Sequence, residues 1–465
     1  MSIEAIDCQG LGGGLTLGMV QAGAKLVQKV EQQGDFGFAQ CDDNRHLLGE
    51  DWDYVGGNID QWPVRKVPLV FGNPPCSGFS MMSVRAGSGL NRSDRRGADN
   101  AINSCMRDFT AYAAMCDADV TVMESVPTAG KDGKAGGVSL MRELHRMMEE
   151  TTGRTYTAYH VFHNAAGCGG SSIRNRYFLV LSRIPMGFTL KLPTAVPTLR
   201  EVIGDLESLP LTMDAQRAVE TPSWWVEPKW TGTITGHDIT RETPHQRRVF
   251  ATAEALGWCQ GDPIEAVVAR YFDEHGTFPE GWGDAVQDTL YYRPLRRAHD
   301  YNLVHAGEMT REEYEQKHRS PFPPAPPKPF QSGAYSTKRW HYDRAARVLT
   351  GGGLVDNLHP TLPRTFTYRE AARIMGFPDS WKVDSYAPNS HNVFGKGVIV
   401  EVGRWIGRNV IDALEGGPGD YQGVQSGERE FVVNFTNDHK AVYNERTGER
   451  GDFRSPALKK EMEAR

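Results

Sequence analysis

One cysteine of this sequence stands in a setting that suits a nucleophile. Cys76 follows Pro74 and Pro75 in the stretch FGNPPCSGFS, just after the apolar run VPLVF. Proline fixes its own φ angle, so the two prolines would set the direction of the thiol, and the residues after it suit a loop that closes over a substrate. Cysteine is a strong nucleophile. The alternative interpretation is a small buried residue at the end of a strand.

A glycine-rich turn and an acid indicate a second site. Residues 7–18 read DCQGLGGGLTLG, after the strand-like stretch IEAID, and such a turn lets backbone approach a ligand closely. Glu31 ends the next strand-like stretch, KLVQKVE, where an acid can accept hydrogen bonds from both hydroxyls of a ribose. The pair favours a cofactor that contains adenosine. A structural turn with a solvent-facing glutamate would give the same pattern. No G-K-[ST] follows, so we do not expect a P-loop ATPase.

The elements that must position these residues alternate between strand and helix through residues 1–185. Further strand-like stretches are VPLVFG, DVTVMES and YFLVLS, and helical ones are LTLGMVQAG, AINSCMRDFTAYAAMC and SLMRELHRMMEE. This alternation predicts an α/β fold with a doubly wound, mostly parallel sheet, whose ligands lie at the carboxyl ends of the strands.

Composition limits the class of protein. The chain has 465 residues, 39% hydrophobic, with a net charge of -6 and seven cysteines, none in a C-x-x-C pair. We therefore expect neither a metal site nor a disulfide framework. No secretory signal and no membrane-spanning run are visible, which favours a cytoplasmic protein without a membrane partner. The charge does not exclude DNA, because a groove needs only a local basic lining.

Several separate segments together resemble those of the DNA cytosine-C5 methyltransferases. The similar segments are DCQGLGGGLTLG (cofactor turn), VGGNID (adenine-binding strand end), GNPPCSGFS (nucleophile loop), VMESV (catalytic glutamate), SSIRNRYFLVLS (strand with two arginines), LHPTLPRTFTYREAARIMGFPDSW (return from target recognition) and NVFGKGVIVEVGRWI (last motif). They follow the family's order over about residues 1–185 and 332–412. The resemblance implies a class I S-adenosylmethionine-dependent methyltransferase fold.

The resemblance also implies a division of the chain. Residues 1–189 would form the catalytic and cofactor-binding domain, 190–345 a separate target-recognition domain of mixed structure, and 346–415 the return to the catalytic domain. The segment 416–465 would be a C-terminal extension, in which REFVVNF and KAVYNE predict a small hairpin and PALKKEMEAR a terminal helix.

The implied reaction is transfer of a methyl group from S-adenosylmethionine to C5 of cytosine in double-stranded DNA. Cys76 would add to C6 of a flipped cytosine, Glu124 would meet ring nitrogen N3, and Arg174 and Arg176 would hold Glu124 and the exocyclic oxygen. We expect the enzyme to be a monomer.

The resemblance assigns binding residues as well. Those for the cofactor are Asp7, Gly12, Gly13, Gly14, Leu15, Glu31, Asn58, Ile59, Pro74, Lys396 and Gly397. Those for DNA are Ser80, Arg85, Arg92 and Arg95, with Arg293 and Arg296 from YYRPLRR, where tyrosine and arginine interleave. Arginine pairs bidentately with guanine in the major groove. For the arginines that follow Cys76, a solvated loop is the alternative interpretation.

The sequence departs from the family's motifs at several positions. Gln9 stands in place of an aromatic residue, Leu11 of glycine, Ser77 and Ser172 of glutamine, Ser125 and Lys396 of asparagine, and Asn58 of aspartate.

Lys396 is the departure with the largest chemical consequence, because the last motif would lie near the reacting sulfonium and like charges repel. Three interpretations follow. The lysine turns to solvent or to a DNA phosphate, or the enzyme is impaired, or the cofactor is carboxy-S-adenosylmethionine. In the third case its carboxylate would pair with Lys396, Gly397 would leave room, and the product would be 5-carboxymethylcytosine.

Two other function classes stay open on the sequence alone. The serine replacements would suit a DNA-binding module on a catalytically impaired fold, although Cys76 and Glu124 argue against that. A tRNA methyltransferase of the same fold is the other, against which the long segment 190–345 argues. The role in restriction–modification, self-protection or genome modification is not specified.

Overall fold

The computed structural model describes residues 2–32, 38–76, 78–79, 101–131, 136–209, 234, 237, 244–262, 264–275, 293–327, 338–349, 357–383, 390–417 and 424–442. The terminal helix predicted from PALKKEMEAR lies outside the described residues.

A large sheet forms the centre of the molecule. The strands in chain order are β1 (Ile3–Cys8), β2 (Ala24–Glu31), β3 (Asp53–Gly56), β4 (Leu69–Gly72), β5 (Val120–Ser125), β6 (Thr157–Asn164), β7 (Asn175–Ser182), β8 (Lys338–Arg339), β9 (Asn357–Leu358), β10 (Val424–Gly427) and β11 (Glu430–Phe435). Nine of them make one sheet in the order β10-β11-β6-β7-β5-β4-β1-β2-β3, and β8 pairs with β9 separately.

The sheet is mostly parallel where the site residues lie. Strands β3, β2, β1, β4 and β5 are joined by parallel pairing, while β7 runs antiparallel to both β5 and β6. The predicted doubly wound α/β fold is confirmed. Because the carboxyl ends of neighbouring parallel strands meet at one edge, the segments after β1, β2, β4 and β5 are brought together there.

Helices connect and cover the strands. The α-helices are Gly14–Ala22, Phe38–Asp42, Arg45–Leu48, Ser104–Met115, Gly137–Thr152, Leu199–Ile203, Pro244–Ala255, Ile264–His275, Arg293–Ala306, Arg311–His318, Tyr368–Ile374, Ser390–Lys396 and Val400–Leu414. Short 3₁₀ helices are Ile59–Gln61, Ala101–Asn103, Pro127–Gly130, Gly204–Ser208 and Asp438–Val442. Among the described residues, no helix is both long and apolar enough to cross a membrane.

Two apolar layers enclose the sheet. Successive side chains of a strand point to opposite faces, so Leu69 and Phe71 of β4 pack in one layer and Val70 packs in the other. The first layer also includes Trp340 and Trp381 from the later part of the chain. The return segment and the end of the middle region therefore share a core with the first strands.

The helices Gly14–Ala22 and Val400–Leu414 pack closely against each other. A Cβ on Gly18 would lie 2.5 Å from the backbone nitrogen of Arg404, and one on Gly407 would lie 2.7 Å from the Cβ of Ala22. Small residues are required where two helix backbones approach this closely. This packing fixes the return segment beside the glycine turn that opens the first helix.

The C-terminal extension adds two strands to the sheet. Strand β11 pairs in parallel with β6, and β10 pairs antiparallel with β11. The predicted hairpin partner of REFVVNF was wrong: VQSG, before it, forms the second strand. Of KAVYNE, residues 440–442 belong to the 3₁₀ helix Asp438–Val442, and the remainder lies outside the described residues.

Candidate active site

The glycine turn after β1 is held in an uncommon backbone conformation. Gln9 and Leu11 have positive φ angles of 60° and 52°, and Gly13 has 84°. Residues other than glycine rarely adopt positive φ angles, so the backbone of Gln9 and Leu11 is strained there. These are the two positions where the family's aromatic residue and glycine are replaced. The Leu11 amide donates to Oε1 of Glu31 at 3.1 Å, which ties the turn to the end of β2.

Lys29 is part of the same cluster, and sequence analysis missed it. Its side chain is fully buried, with Nζ 3.0 Å from Oδ2 of Asp7 and 2.5 Å from Oε1 of Glu31. Thr16 also donates to Asp7, at 2.6 Å. A signal was available, because Lys29 and Glu31 are two residues apart on a strand and so point to the same face.

The turn fits a polar ligand. Oδ1 of Asp7 and both polar atoms of the Gln9 side chain are buried without a hydrogen-bond partner among the described residues. Buried polar atoms cost free energy unless they are hydrogen-bonded, so such a set suits a site completed by a bound molecule. There is no space for larger side chains in the turn, since a Cβ on Gly12 would lie 1.8 Å from Cγ1 of Val393.

Asn58 and Ile59 lie at the neighbouring strand end. Gly57 donates its amide to the Glu31 carbonyl at 3.0 Å, so residues 58 and 59 begin directly beside β2. Asn58 is exposed, and its backbone amide donates to Oε1 of Gln61 at 3.0 Å. The structure therefore brings Asp7, Glu31 and the segment after β3 to one side of the sheet edge, as a nucleoside site requires.

The nucleophile loop is anchored to two other segments and closed by one hydrogen bond of its own. The Asn73 amide donates to the Gln9 carbonyl at 3.2 Å, its side chain donates to the Lys396 carbonyl at 3.1 Å, and the Phe79 amide donates to the Cys76 carbonyl at 3.0 Å. Pro74 is buried and Cys76 is half-buried. The loop thus links the glycine turn after β1 to the segment around Lys396, and it carries the thiol.

The Cys76 thiol lies beside Glu124. Burial raises the pKa of Cys76, and the charge of Glu124 raises it further, while Arg176 lowers it. The Ser125 hydroxyl also lies near the thiol, although its oxygen completes no hydrogen bond of ordinary geometry within the described residues. Among the effects that favour a thiolate here, the charge of Arg176 is the largest.

Glu124 at the end of β5 is a buried carboxyl with one close cation. Its side chain is 1% exposed, and Nε of Arg176 lies 2.8 Å from Oε1. Burial raises the pKa of Glu124 to about 7, against the opposing effect of Arg176 and Arg174. Such a group gives up and takes a proton near neutral pH, which suits general acid–base work.

The Arg174 guanidinium is held by backbone carbonyls of distant segments. Its guanidinium donates to the carbonyls of Leu349 at 2.6 Å and of Gly395 and Gly397 at 3.0 Å each. It is therefore a buried connection between the start of β7 and two return segments. Its charge still lowers the pKa of Glu124, but only Arg176 forms an ion pair with that carboxyl among the described residues.

Lys396 points its side chain to the surface. The residue is exposed, while the carbonyls at 395, 396 and 397 are held by Arg174 and Asn73. A Cβ on Gly397 would lie 2.6 Å from the Val393 carbonyl oxygen, so the backbone explains this glycine without a ligand.

None of the contacts above involves the residues predicted to bind DNA. Ser80, Arg85, Arg92 and Arg95 lie outside the described residues. Arg293 and Arg296 lie on the helix Arg293–Ala306, where the placement of their side chains is not described.

Comparison with known proteins places this site in context. A model of the C-5 cytosine-specific DNA methylase family matches residues 7–412. The type II methyltransferase M.XorII of Xanthomonas oryzae pv. oryzae (strain KACC10331 / KXO85) is 23% identical over 436 residues, covering 89% of this chain and 85% of that protein. A candidate type II methyltransferase of Oceanobacillus iheyensis, M.OihORF3336P, is 27% identical over 194 residues, 40% of each chain.

A solved structure agrees in fold. A candidate DNA modification methyltransferase encoded within an E. coli prophage superposes with a TM-score of 0.55 at 16% identity, covering 89% of this chain and all of that one.

Proposed function

The chain belongs to the C-5 cytosine-specific DNA methylase family, and we propose that it methylates C5 of a flipped cytosine through a covalent adduct on Cys76. It is a DNA (cytosine-5-)-methyltransferase-type enzyme that uses S-adenosylmethionine. The observation that carries the proposal is the cluster of Cys76, Glu124 and Arg176 at one edge of the sheet, with a carboxyl that titrates near neutral pH.

The proposed chemistry divides among these residues. The Cys76 thiolate forms a bond to C6 of the base, which makes C5 nucleophilic. Glu124 in its protonated form donates to N3 and so balances the negative charge that the ring acquires. Arg176 orients Glu124 and lowers the pKa of the thiol. When bound, the cofactor supplies the methyl group. A water molecule would then take the C5 proton, the electrons of that C–H bond would form the C5–C6 double bond and expel the Cys76 thiolate, and N3 would return its proton to Glu124.

The cofactor would lie along the turn. We propose that Glu31 accepts from the ribose hydroxyls, that Asn58 and Ile59 lie against the adenine, and that Asp7, residues 12–15 and Pro74 line the remainder. The unpaired polar atoms of Asp7 and Gln9 support this placement. The DNA would be read by the region 190–345, with Arg293 and Arg296 as base or phosphate contacts.

A covalent trap tests the proposed function. A DNA duplex that contains 5-fluorocytosine should form an adduct that survives denaturing electrophoresis, because fluorine cannot leave from C5 as a proton does. The Cys76→Ala variant should lose the adduct completely. The matched control is Cys259→Ala, which removes an exposed cysteine. Adduct formation by Cys76→Ala would contradict the mechanism.

Nucleoside mass spectrometry tests the product. We expect 5-methylcytosine in DNA treated with the protein and S-adenosylmethionine. Intact DNA binding without any modified cytosine would favour the impaired DNA-binding module, and modified tRNA with unmodified DNA would favour the tRNA methyltransferase.

Lys396 supports a second candidate function, transfer of a carboxymethyl group from carboxy-S-adenosylmethionine. The backbone of this residue is held beside the nucleophile loop, because Asn73 donates to its carbonyl at 3.1 Å, while its side chain is exposed. We expect Lys396→Asn to lose any carboxymethyl product and to keep methyl transfer. Lys382→Asn, at an exposed lysine of the return segment, is the control. An unchanged product ratio in Lys396→Asn would reject this candidate.

A further inference from the structure

The lysine that lies beside the glycine turn, Lys29 of β2, is completely buried, which is a rare and costly arrangement. Lys29 is 0% exposed and lies on β2 directly opposite Asp7 of β1. An ammonium is removed from water only where its charge and its protons find partners. Here Nζ lies near two carboxylates, Asp7 and Glu31, so two negative charges face one positive charge.

A third contact of Lys29 is to the turn itself. Nζ donates to the Leu11 carbonyl at 3.4 Å, while the Leu11 amide donates to Glu31 at 3.1 Å. Both backbone polar groups of Leu11 are therefore held by the Lys29–Glu31 pair. Leu11 is also one of the two non-glycine residues of the turn with a positive φ, 52°.

These contacts explain how a leucine can occupy that position. A left-handed conformation is unfavourable for a residue with a Cβ, and it persists only when the surroundings hold it in place. A strained turn that is not held would relax, and its amides would move away from the ligand. Neutralisation of charge alone would not need the contact to the Leu11 carbonyl.

We propose that Lys29 is a positioning residue for the cofactor: it holds the Glu31 carboxylate and the strained Leu11 peptide in the geometry that receives the ribose and the adjoining part of S-adenosylmethionine. This inference rests on the proposed role of Glu31. It assigns to Lys29 an effect on cofactor affinity rather than on the chemical step.

Calorimetric titration with S-adenosylhomocysteine, without DNA, tests the proposal. Lys29→Met should weaken binding at least tenfold. The matched control Lys25→Met, on the same strand, removes a half-exposed lysine whose nearest acid is Glu4 at 3.9 Å, and it should bind within twofold of the wild type. Wild-type affinity in Lys29→Met would overturn the proposal. Failure of the wild-type protein to bind would instead overturn the proposed cofactor site together with it.

A second variant separates positioning from charge balance. Glycine adopts positive φ without strain. In the Lys29→Met background, Leu11→Gly should therefore raise the affinity for S-adenosylhomocysteine at least threefold. In the wild-type background, the same change should alter the affinity by less than threefold. No recovery would mean that Lys29 only neutralises the acids, which contradicts the proposal. If Lys29→Met does not fold, as followed by thermal unfolding, Lys29→Gln replaces it in the same pair of measurements.

The ribose provides a further readout. If Lys29 acts through Glu31, the wild-type protein should discriminate against a 3′-deoxyribose analogue of S-adenosylhomocysteine, and Lys29→Met should lose most of that discrimination. Equal discrimination in both proteins would contradict the assignment.

Discussion

At the ends of β1 and β2, two buried carboxylates share a buried lysine, whereas near the end of β5 one buried carboxylate has a pKa raised to about 7 beside a partly exposed arginine. The two groups of acids lie at the same edge of the sheet. Asp7 and Glu31 have their cation inside the protein, at 3.0 Å and 2.5 Å. Glu124 has burial acting against its charge, and Arg176 offsets that only in part.

The difference separates binding from chemistry. A group that only accepts hydrogen bonds from a ligand benefits from a fixed charge and a fixed position. A group that exchanges a proton with its substrate needs a pKa near the working pH, and burial that a counter-charge offsets only in part gives one. Variants on the β5 side should therefore change rate, whereas variants on the β2 side should change affinity.

The largest effect is expected at Glu124. Glu124→Gln removes the titrating group, so the single-turnover methylation rate at pH 7 should fall by about 10² to 10⁴-fold, with little change in affinity for S-adenosylhomocysteine. Glu149→Gln, which removes a carboxylate paired with Arg429, is the control for loss of a glutamate. If Glu124→Gln weakened the cofactor as strongly as it slowed the reaction, the separation between the two ends would be wrong.

Arg174 should affect stability more than rate. Arg174→Met leaves three buried carbonyls without their donor, and we expect a loss of about 3 kcal/mol in the free energy of unfolding by urea. Arg142→Met, at an arginine 55% exposed and paired with Glu430, should cost less than about 1 kcal/mol. Equal losses in the two variants would reject the structural role given to Arg174.

A smaller effect is expected in the pH profile. Below pH 7 the rate should rise about tenfold per pH unit, because the Cys76 thiol with its raised pKa gains thiolate as pH increases. Above the Glu124 pKa of about 7, loss of its proton should cancel that gain, so log kcat/KM should level off. Glu124→Gln should lack the bend. A wild-type profile that keeps rising through pH 8 would contradict the assignment of Glu124 as proton donor.

Strongly patterned elements were predictable, and the contacts between distant segments were not. IEAID, KLVQKVE and DVTVMES carry enough apolar residues to be recognised as strands, and the structure confirms them. Strand β6 was missed because TAYHVFHN contains two histidines and an asparagine, and its polarity is compensated only in the fold, where His160 hydrogen-bonds the Tyr177 hydroxyl at 2.8 Å.

The site shows the same limit. Cys76 and Glu124 could be placed from local motifs, since Cys76 lies in the loop after β4 and Glu124 lies near the end of β5. The carbonyls held by Arg174 lie 175 to 223 residues away along the chain, and the burial of Lys29 depends on an acid contributed by another strand. Local periodicity gives no information on partners of that kind.

The pairing of β11 with β6 has a consequence for how the chain is made. About 270 residues separate Thr157–Asn164 from Glu430–Phe435, so β6 has no neighbour on that side until the last strands have been synthesised. During that interval the edge of the nascent sheet presents a row of unpaired amides and carbonyls. The apolar surface that Val433 later covers is exposed to solvent. Premature termination before residue 430 would leave that edge available to other chains, so self-association is the expected fate of such a product.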